Sequence, residues 1–224
     1  MAKRGSVVWT RGAENDVFMA AVLGRVEDVT TALDAGFPPS AKLGNSGLTL
    51  LHLCFGRNAE VMLGVTQRLL ASGWDPNASG VDGITPVHEA CLSGNLHAVQ
   101  QLIAAGGKLD ILDNSAETPL FYALSFYALY NCWDPITRCQ LLQWLADCPE
   151  VNWCHQNTHG RTAVEAGMLG TLDELNDIQK RCLVIGAAAE QAQRERTARW
   201  SPLRAAFTGT VAVAAAATTC TLQV

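Results

Sequence analysis

The stretch DGITPVHEACLSGNLHAVQQLIAAGGKLD, residues 82–110, contains the signals for two short helices and for the turns around them. Thr85 can cap a helix with its hydroxyl, and Pro86 at the first helical position gives up no hydrogen bond that the helix needs. Gly94 suits the left-handed backbone that ends a helix and turns the chain back. The stretch therefore predicts a helix–turn–helix unit.

Each of the two helices has one apolar face. The first has Val87, Ala90 and Cys91 on one side, where small side chains let neighbouring helices approach closely. The apolar stripe of the second helix consists of Leu96, Val99, Leu102 and Ile103. Neither helix is long enough to bury its stripe alone, so we expect the unit to be stable only when it packs against similar units.

The same pattern recurs along the chain about every 33 residues. SGLTLLHLCF (46–55) repeats the Gly, Thr and His of the first helix, and SAETPLFYAL (115–124) repeats the Thr-Pro pair. HGRTAVEAG (159–167) repeats Gly and Thr, and LGRVEDVTTALDAG (23–36) matches the second half of the unit. The sequence therefore contains about five copies of one unit in register.

A period near 33 residues with the patterns DGxTPxH and LLxxG resembles the ankyrin repeat, over roughly residues 12–180. The resemblance implies an all-α fold, an α-solenoid of stacked helix–turn–helix units with hairpin loops. It divides the chain into an N-terminal arm (1–11), repeats at about 12–44, 45–80, 81–114, 115–157 and 158–180, a C-terminal helix (181–204) and an Ala/Thr-rich, flexible tail (205–224). The first and last repeats are expected to act as caps.

The fourth repeat carries an insertion, residues 125–139, which contains Phe126, Tyr127, Tyr130 and Trp133. One interpretation is a longer pair of helices with extra core. The other is an exposed aromatic feature that contacts a partner, because Trp and Tyr are enriched at interface hot spots. Asp134-Pro135 inside the insertion predicts that one helix stops and another starts there.

No residue pattern indicates an enzyme. The chain has no G-x-S-x-G motif and no glycine-rich phosphate loop after a strand. The resemblance gives His52 and His88 a structural role, as hydrogen-bonding residues between repeats. A run of potential metal ligands, Cys148, Cys154, His155 and His159, lacks the C-x₂-C pair that is typical of zinc sites. We expect no catalytic residue, no cofactor and no metal.

Composition narrows the class of partner. The net charge is −5, and no dense cluster of Lys and Arg offsets it, which argues against nucleic acid. Eight cysteines without a secretory leader predict reduced thiols and a cytoplasmic protein. Cys54 and Cys91 fall at small-residue positions of a first helix, and we interpret them as buried packing thiols.

The resemblance also implies a function, because ankyrin solenoids bind proteins through their hairpin tips and the face of their first helices. We expect a monomeric, non-enzymatic interaction module, an adaptor or scaffold, whose concave surface binds a protein partner. The candidate partner-binding residues flank the turn glycine or end the first helix of a repeat: Leu48, Arg57, Val81, Asp82, Ile84, Leu92, Ser93, Asn114, Ser115, Glu117, Ser125, Phe126 and Arg161.

The tail leaves an alternative open. Residues 205–224 carry no charge, and twenty uncharged residues are long enough to span a bilayer. The arginines that precede them would then lie on the cytosolic side. Their Ala and Thr content makes insertion marginal, and a membrane is not the expected partner. The alternative function is a membrane-tethered adaptor that recruits a partner through the solenoid.

Overall fold

A computed structural model describes residues 9–55, 61–125, 135–167 and 180–198. In these residues the chain forms short helices joined by turns, and it forms no β-strand. The helices are α1 (Arg11–Val22), α2 (Val26–Asp34), α3 (Leu50–Leu53), α4 (Leu63–Ala71), α5 (Pro86–Ser93), α6 (Leu96–Ala104), α7 (Pro119–Leu124), α8 (Pro135–Asp147), α9 (Ala163–Gly167) and α10 (180–198). The predicted all-α class is confirmed.

The helices stack in two layers. The first helices of successive units pack on one another, in the order α1, α3, α5, α7 and α9. The second helices, α2, α4, α6 and α8, stack beside them in the same order. Each helix thus buries its apolar face against its own unit and its neighbours, which is the packing predicted for a solenoid.

The third unit forms as its sequence predicts. Thr85 and His88 make a reciprocal capping box at the start of α5, and Gly94 ends that helix with a φ of +77°. Cys91 is fully buried, and burial raises the pKa of its thiol to about 12. Cys54, in the preceding unit, is equally buried and has a pKa raised to about 12 for the same reason. Both cysteines are packing residues.

Histidines connect one unit to the next. In α5 the backbone N–H of Thr85 donates to Nδ1 of His88 at 3.1 Å, so that nitrogen is the acceptor and the proton lies on Nε2. Nε2 then donates to the carbonyl of Glu117 in the next unit, at 3.2 Å. His52 makes the same pair of contacts, ending on the carbonyl of Ile84 at 3.1 Å. These bonds are those expected of the TPxH position.

The long C-terminal helix α10 covers the end of the stack. Its Gly186 lies against side chains of α7, α9 and the loop between α8 and α9, because a Cβ there would meet Leu124, Val164 and Trp153 at 3.3–3.4 Å. The Gln193 side chain accepts from the backbone N–H of Trp153 at 2.6 Å. The helix therefore serves as a cap that buries the last apolar surface.

The predicted helix start within the insertion is present, since α8 begins at Pro135. Phe126, Tyr127, Tyr130 and Trp133 lie outside the described residues, so the choice between extra core and a contact feature stays a prediction. Residues 205–224 also lie outside them. Across the described segments, no helix combines the length and the apolar character that a membrane crossing requires.

Candidate functional site

Backbone hydrogen bonds join the turns of successive units into one row. In each case a backbone N–H of one turn donates to a carbonyl of the preceding turn, with an N···O distance of 2.9 Å. The three bonds run from Val81 to Ser46, from Asn114 to Asp82 and from Thr158 to Ser115. We call these six residues the hairpin edge. Because its backbone groups pair with one another, the edge fixes the spacing of the side chains that project from it.

Each turn is held in shape by its own side chains. In the turn before α7, Oδ1 of Asp113 accepts from the backbone N–H groups of Ser115 and Glu117, both at 2.8 Å. Its other oxygen accepts from the Tyr122 hydroxyl at 2.8 Å. Gly83 has a φ of +78°, and a Cβ there would lie 3.0 Å from the Cα of Asp113. The turns approach so closely that glycine is required at this position.

The turn before α9 uses an asparagine in the same way. Oδ1 of Asn157 accepts from the backbone N–H groups of His159 and Arg161, at 3.0 and 3.2 Å. Its Nδ2 donates to a carboxylate oxygen of Glu117 at 2.8 Å, which ties this turn to the one before it. The Glu117 carboxylate therefore belongs to the framework of the edge.

The structure places the candidate partner-binding residues in three groups. The exposed candidates are Val81, Asp82, Asn114 and Arg161. The half-buried candidates are Leu48, Ile84, Leu92, Ser93, Ser115, Glu117 and Ser125. Arg57 and Phe126 lie outside the described residues. The hairpin edge brings Val81, Asp82, Asn114 and Ser115 together, and Val81 is its most exposed apolar side chain, with 65% of its surface accessible.

Carboxylates gather beside the edge around one tyrosine. Burial raises the pKa of Tyr122, and its hydrogen bond to Asp113 and the nearby charges of Glu117 and Glu89 raise it further. Glu89 is half-buried on α5, and desolvation raises the pKa of its carboxyl. Sequence reasoning missed Glu89 because its neighbours come from a different unit. The sequence signal for this group of carboxylates is the acidic residue that directly follows the histidine of the TPxH pattern.

Arg138 was also missed. Its side chain is only 2% exposed, and it reaches from α8 to the C-terminal ends of two first helices. Nη1 donates to the carbonyl of Ala123 in α7 at 2.9 Å, and Nη2 donates to the carbonyl of Leu92 in α5 at 2.7 Å. A cation there satisfies carbonyls that have no partner inside their own helices. Arg138 thus fixes the C-terminal ends of α5 and α7 relative to each other.

The potential metal ligands near the fifth unit make other contacts. His155 lies with Nε2 at 2.8 Å from the carbonyl of Ala116, and the Cys154 thiol points to the carbonyl of Glu190 at 3.9 Å. Across the described ranges, no three His, Cys, Asp or Glu side chains converge in a way that could hold a metal ion.

Comparison with known proteins agrees with the fold. A family model described as ankyrin repeats, in three copies, matches residues 58–133. The chain is similar to cyclin-dependent kinase 4 inhibitor B of Bos taurus, with 33% identity over 112 residues, which is 49% of this chain and 80% of that protein. These two matches identify the repeat unit independently.

Two further relatives show how widely the unit is shared. Cyclin-dependent kinase inhibitor 2A of Homo sapiens is 34% identical over 104 residues, which is 45% of this chain and 62% of that protein. The inactive serine/threonine-protein kinase TEX14 of Mus musculus is 42% identical over 57 residues, which is 25% of this chain and 4% of that protein. These relatives therefore match one quarter to one half of this chain.

Proposed function

Because the chain belongs to the ankyrin-repeat family, we propose that it is a non-enzymatic module that binds a protein partner through the hairpin edge and the C-terminal ends of the first helices. The observation that carries this proposal is the continuous row of hydrogen bonds from turn to turn. A surface whose backbone is already fixed loses little conformational entropy when it binds, so more of the contact energy appears as affinity. The C-terminal ends of α5 and α7 are held by the Arg138 guanidinium.

The chemistry of the edge suits a protein surface. Val81 offers an exposed apolar contact, and it lies next to the carboxylate of Asp82 and the amide of Asn114. An apolar centre with a polar rim is the usual composition of a protein–protein interface. The exposed carboxylate of Asp82 belongs to this patch, so we expect the partner to present hydrogen-bond donors or a basic side chain to it.

We extend the proposal to the class of partner, which is a protein kinase. Two relatives are named as inhibitors of cyclin-dependent kinases, and the chain covers 80% of one of them. A module of this kind would bind the kinase without chemistry of its own. The expectation of an adaptor or scaffold agrees with that role.

The test compares two valines that are equally exposed. Val81 lies on the hairpin edge with 65% of its surface accessible, and Val184 lies on α10 with 66% accessible. Binding of the purified chain to cyclin-dependent kinase 4 is measured by titration calorimetry for the parent, Val81→Arg and Val184→Arg. We expect Val81→Arg to weaken binding by at least about tenfold, because it places an unpaired charge in the contact, and Val184→Arg to leave it unchanged. All three proteins must show the same circular dichroism spectrum and melting temperature.

The outcomes test the identity of the partner and the position of the binding surface separately. If the parent does not bind the kinase, the kinase assignment is wrong, and the same variants are then compared by affinity capture and mass spectrometry. A partner lost with Val81→Arg and kept with Val184→Arg supports the hairpin edge. A partner kept by both variants shows that binding uses another surface.

The alternative of a membrane-tethered adaptor rests on residues 205–224, which lie outside the described residues, and it stays a prediction. Cell fractionation of the full chain and of a chain that ends at Trp200 tests it. Only a tail-dependent membrane fraction would support it.

A further inference from the structure

Two thiols from different helices contact each other at the end of the stack. The sulfur of Cys139 in α8 lies 3.1 Å from the sulfur of Cys182 in α10, and 43 positions separate the two residues in the sequence. The bonded distance of a disulfide is about 2.05 Å, so the two sulfurs need to move together by only about 1 Å.

Each of the two helices is held in place close to the cysteine that it carries. Arg138, next to Cys139 in the chain, is fixed by its bonds to the carbonyls of Leu92 and Ala123. Beyond Cys182, α10 packs through Gly186 against Trp153 and its neighbours. The contact between the two thiols is therefore part of the packed structure of the cap.

We propose that Cys139 and Cys182 form a reversible disulfide, which makes this pair a redox modification site that fastens the C-terminal helix α10 to α8. The oxidant is a small disulfide such as glutathione disulfide. The bond forms under oxidising conditions, and thiol reductants remove it.

The reaction takes two steps. The Cys139 thiol is half-buried and the Cys182 thiol is 1% exposed, so the oxidant reaches Cys139 first. Cys139 loses its proton, and the thiolate attacks one sulfur of glutathione disulfide, which forms a mixed disulfide and releases one glutathione thiolate. The Cys182 thiol then loses its proton, and its thiolate attacks the Cys139 sulfur and releases the second glutathione as a thiolate, which takes up a proton. Two protein thiols lose two protons and two electrons, and one glutathione disulfide becomes two thiols.

The surroundings make the pair selective. Cys54 and Cys91 cannot start the exchange, because they are buried away from the oxidant and burial raises the pKa of both thiols to about 12. The Cys154 thiol is directed to the carbonyl of Glu190 on α10. Of the thiols in the described segments, Cys139 alone combines partial exposure with a second thiol in contact.

The bond would stabilise the cap. It closes a loop over the 43 positions between the two cysteines, and this loop includes α9. Closing a loop of that length restricts the unfolded chain enough to raise the melting temperature by roughly 10 °C. Local opening of α10 would be suppressed for the same reason.

The test uses the full-length chain in its native state. It is equilibrated in glutathione buffers of increasing oxidised fraction, its remaining thiols are blocked with N-ethylmaleimide, and its peptides are identified by mass spectrometry. We expect a linked peptide pair that contains Cys139 and Cys182, a rise in melting temperature, and loss of both on adding dithiothreitol. Cys139→Ala should abolish the rise, whereas Cys148→Ala, which removes another half-buried thiol, should keep it.

Several results would overturn the proposal. They are a Cys139 that keeps glutathione without cross-linking, a Cys139 linked to a cysteine other than Cys182, and a cross-link that leaves the melting temperature unchanged. The test does not need Cys182→Ala, a substitution in the core that can prevent folding, because the linked peptides are identified in the wild-type chain. The proposal is independent of the partner-binding function.

Discussion

Replacing Arg138 with methionine tests whether one buried cation holds the ends of two helices. The guanidinium donates to the carbonyls of Leu92 and Ala123, at 2.7 and 2.9 Å. Methionine replaces the apolar stem of the arginine but is three heavy atoms smaller, so the substitution removes the donors and also leaves part of the space of the guanidinium unfilled. The two carbonyls are then left without their charged partner inside the protein.

The magnitude follows from these two bonds. A buried carbonyl that loses its partner costs about 1–3 kcal/mol. Methionine avoids the desolvation penalty of a buried charge, and that gain offsets part of the loss. We expect the free energy of unfolding to fall by about 3 kcal/mol, which lowers the melting temperature of a chain of this size by roughly 6–12 °C. Arg138→Lys should give an intermediate fall, because one ammonium group cannot span both carbonyls.

The assay is urea denaturation followed by circular dichroism, with Arg181→Met as the matched control. Arg181 is an exposed arginine on α10, so its replacement should shift the urea midpoint little. If Arg138→Met unfolds at the same urea concentration as Arg181→Met, the two bonds contribute nothing to stability and the reasoning is wrong. A lysine variant as stable as the parent would show that only the charge matters.

Three further predictions concern single residues. Desolvation lowers the pKa of His88 in the folded state, so the unfolded chain binds the proton more readily and stability falls as the pH falls from 7.5 to 5.5. His88→Gln should make this fall in stability smaller. Thermal melts at both pH values check this, with the exposed His97→Gln as control. Burial raises the pKa of the Glu89 carboxyl, because it opposes the charged form. Glu89→Gln should therefore melt at a higher temperature than the parent at pH 7, and the difference should disappear by about pH 4, where the carboxyl is protonated in both states. A difference in melting temperature that persists at low pH contradicts this. Gly94→Ala should lower the free energy of unfolding more than Gly106→Ala, by at least about 1 kcal/mol in urea titrations. Both glycines have a positive φ, but only at Gly94 would a Cβ meet the buried guanidinium of Arg138, at 2.9 Å. Equal losses in the two variants would exclude that clash.

The sequence predicts the repeat unit well because its signals are local. The Thr85-Pro86 pair, the histidine three positions after Thr85 and the left-handed Gly94 act at the two ends of one short helix. Their spacing repeats along the chain, so one well-formed unit identifies the others. Stacking then follows, because the apolar face of each short helix has to be covered by a neighbour.

Contacts that depend on distant parts of the chain could not be predicted. Arg138, which lies within the insertion of the fourth repeat, reaches a carbonyl 46 positions away in the preceding unit. In the sequence it is a cation near an apolar run, with no sign of which carbonyls it meets. The Cys139–Cys182 contact has the same origin, because the position of α10 is set by packing at the end of the stack.

The hairpin edge continues where the repeat pattern weakens. Where the fourth unit has Phe121 in place of the TPxH histidine, the next turn makes the connection instead, through His155 to the carbonyl of Ala116 and through Asn157 to the carboxylate of Glu117.

In the fifth unit the capping box survives with a different residue, since the Glu165 carboxylate accepts from the backbone N–H of Thr162 at 2.9 Å. The histidine contacts and their replacements perform the same task, which is to hold one turn at a fixed distance from the next. A binding surface made of turn tips requires that spacing, because a partner that spans several tips meets them all at once. The recognition that we propose at the turn tips therefore depends on the same bonds that hold one unit against the next.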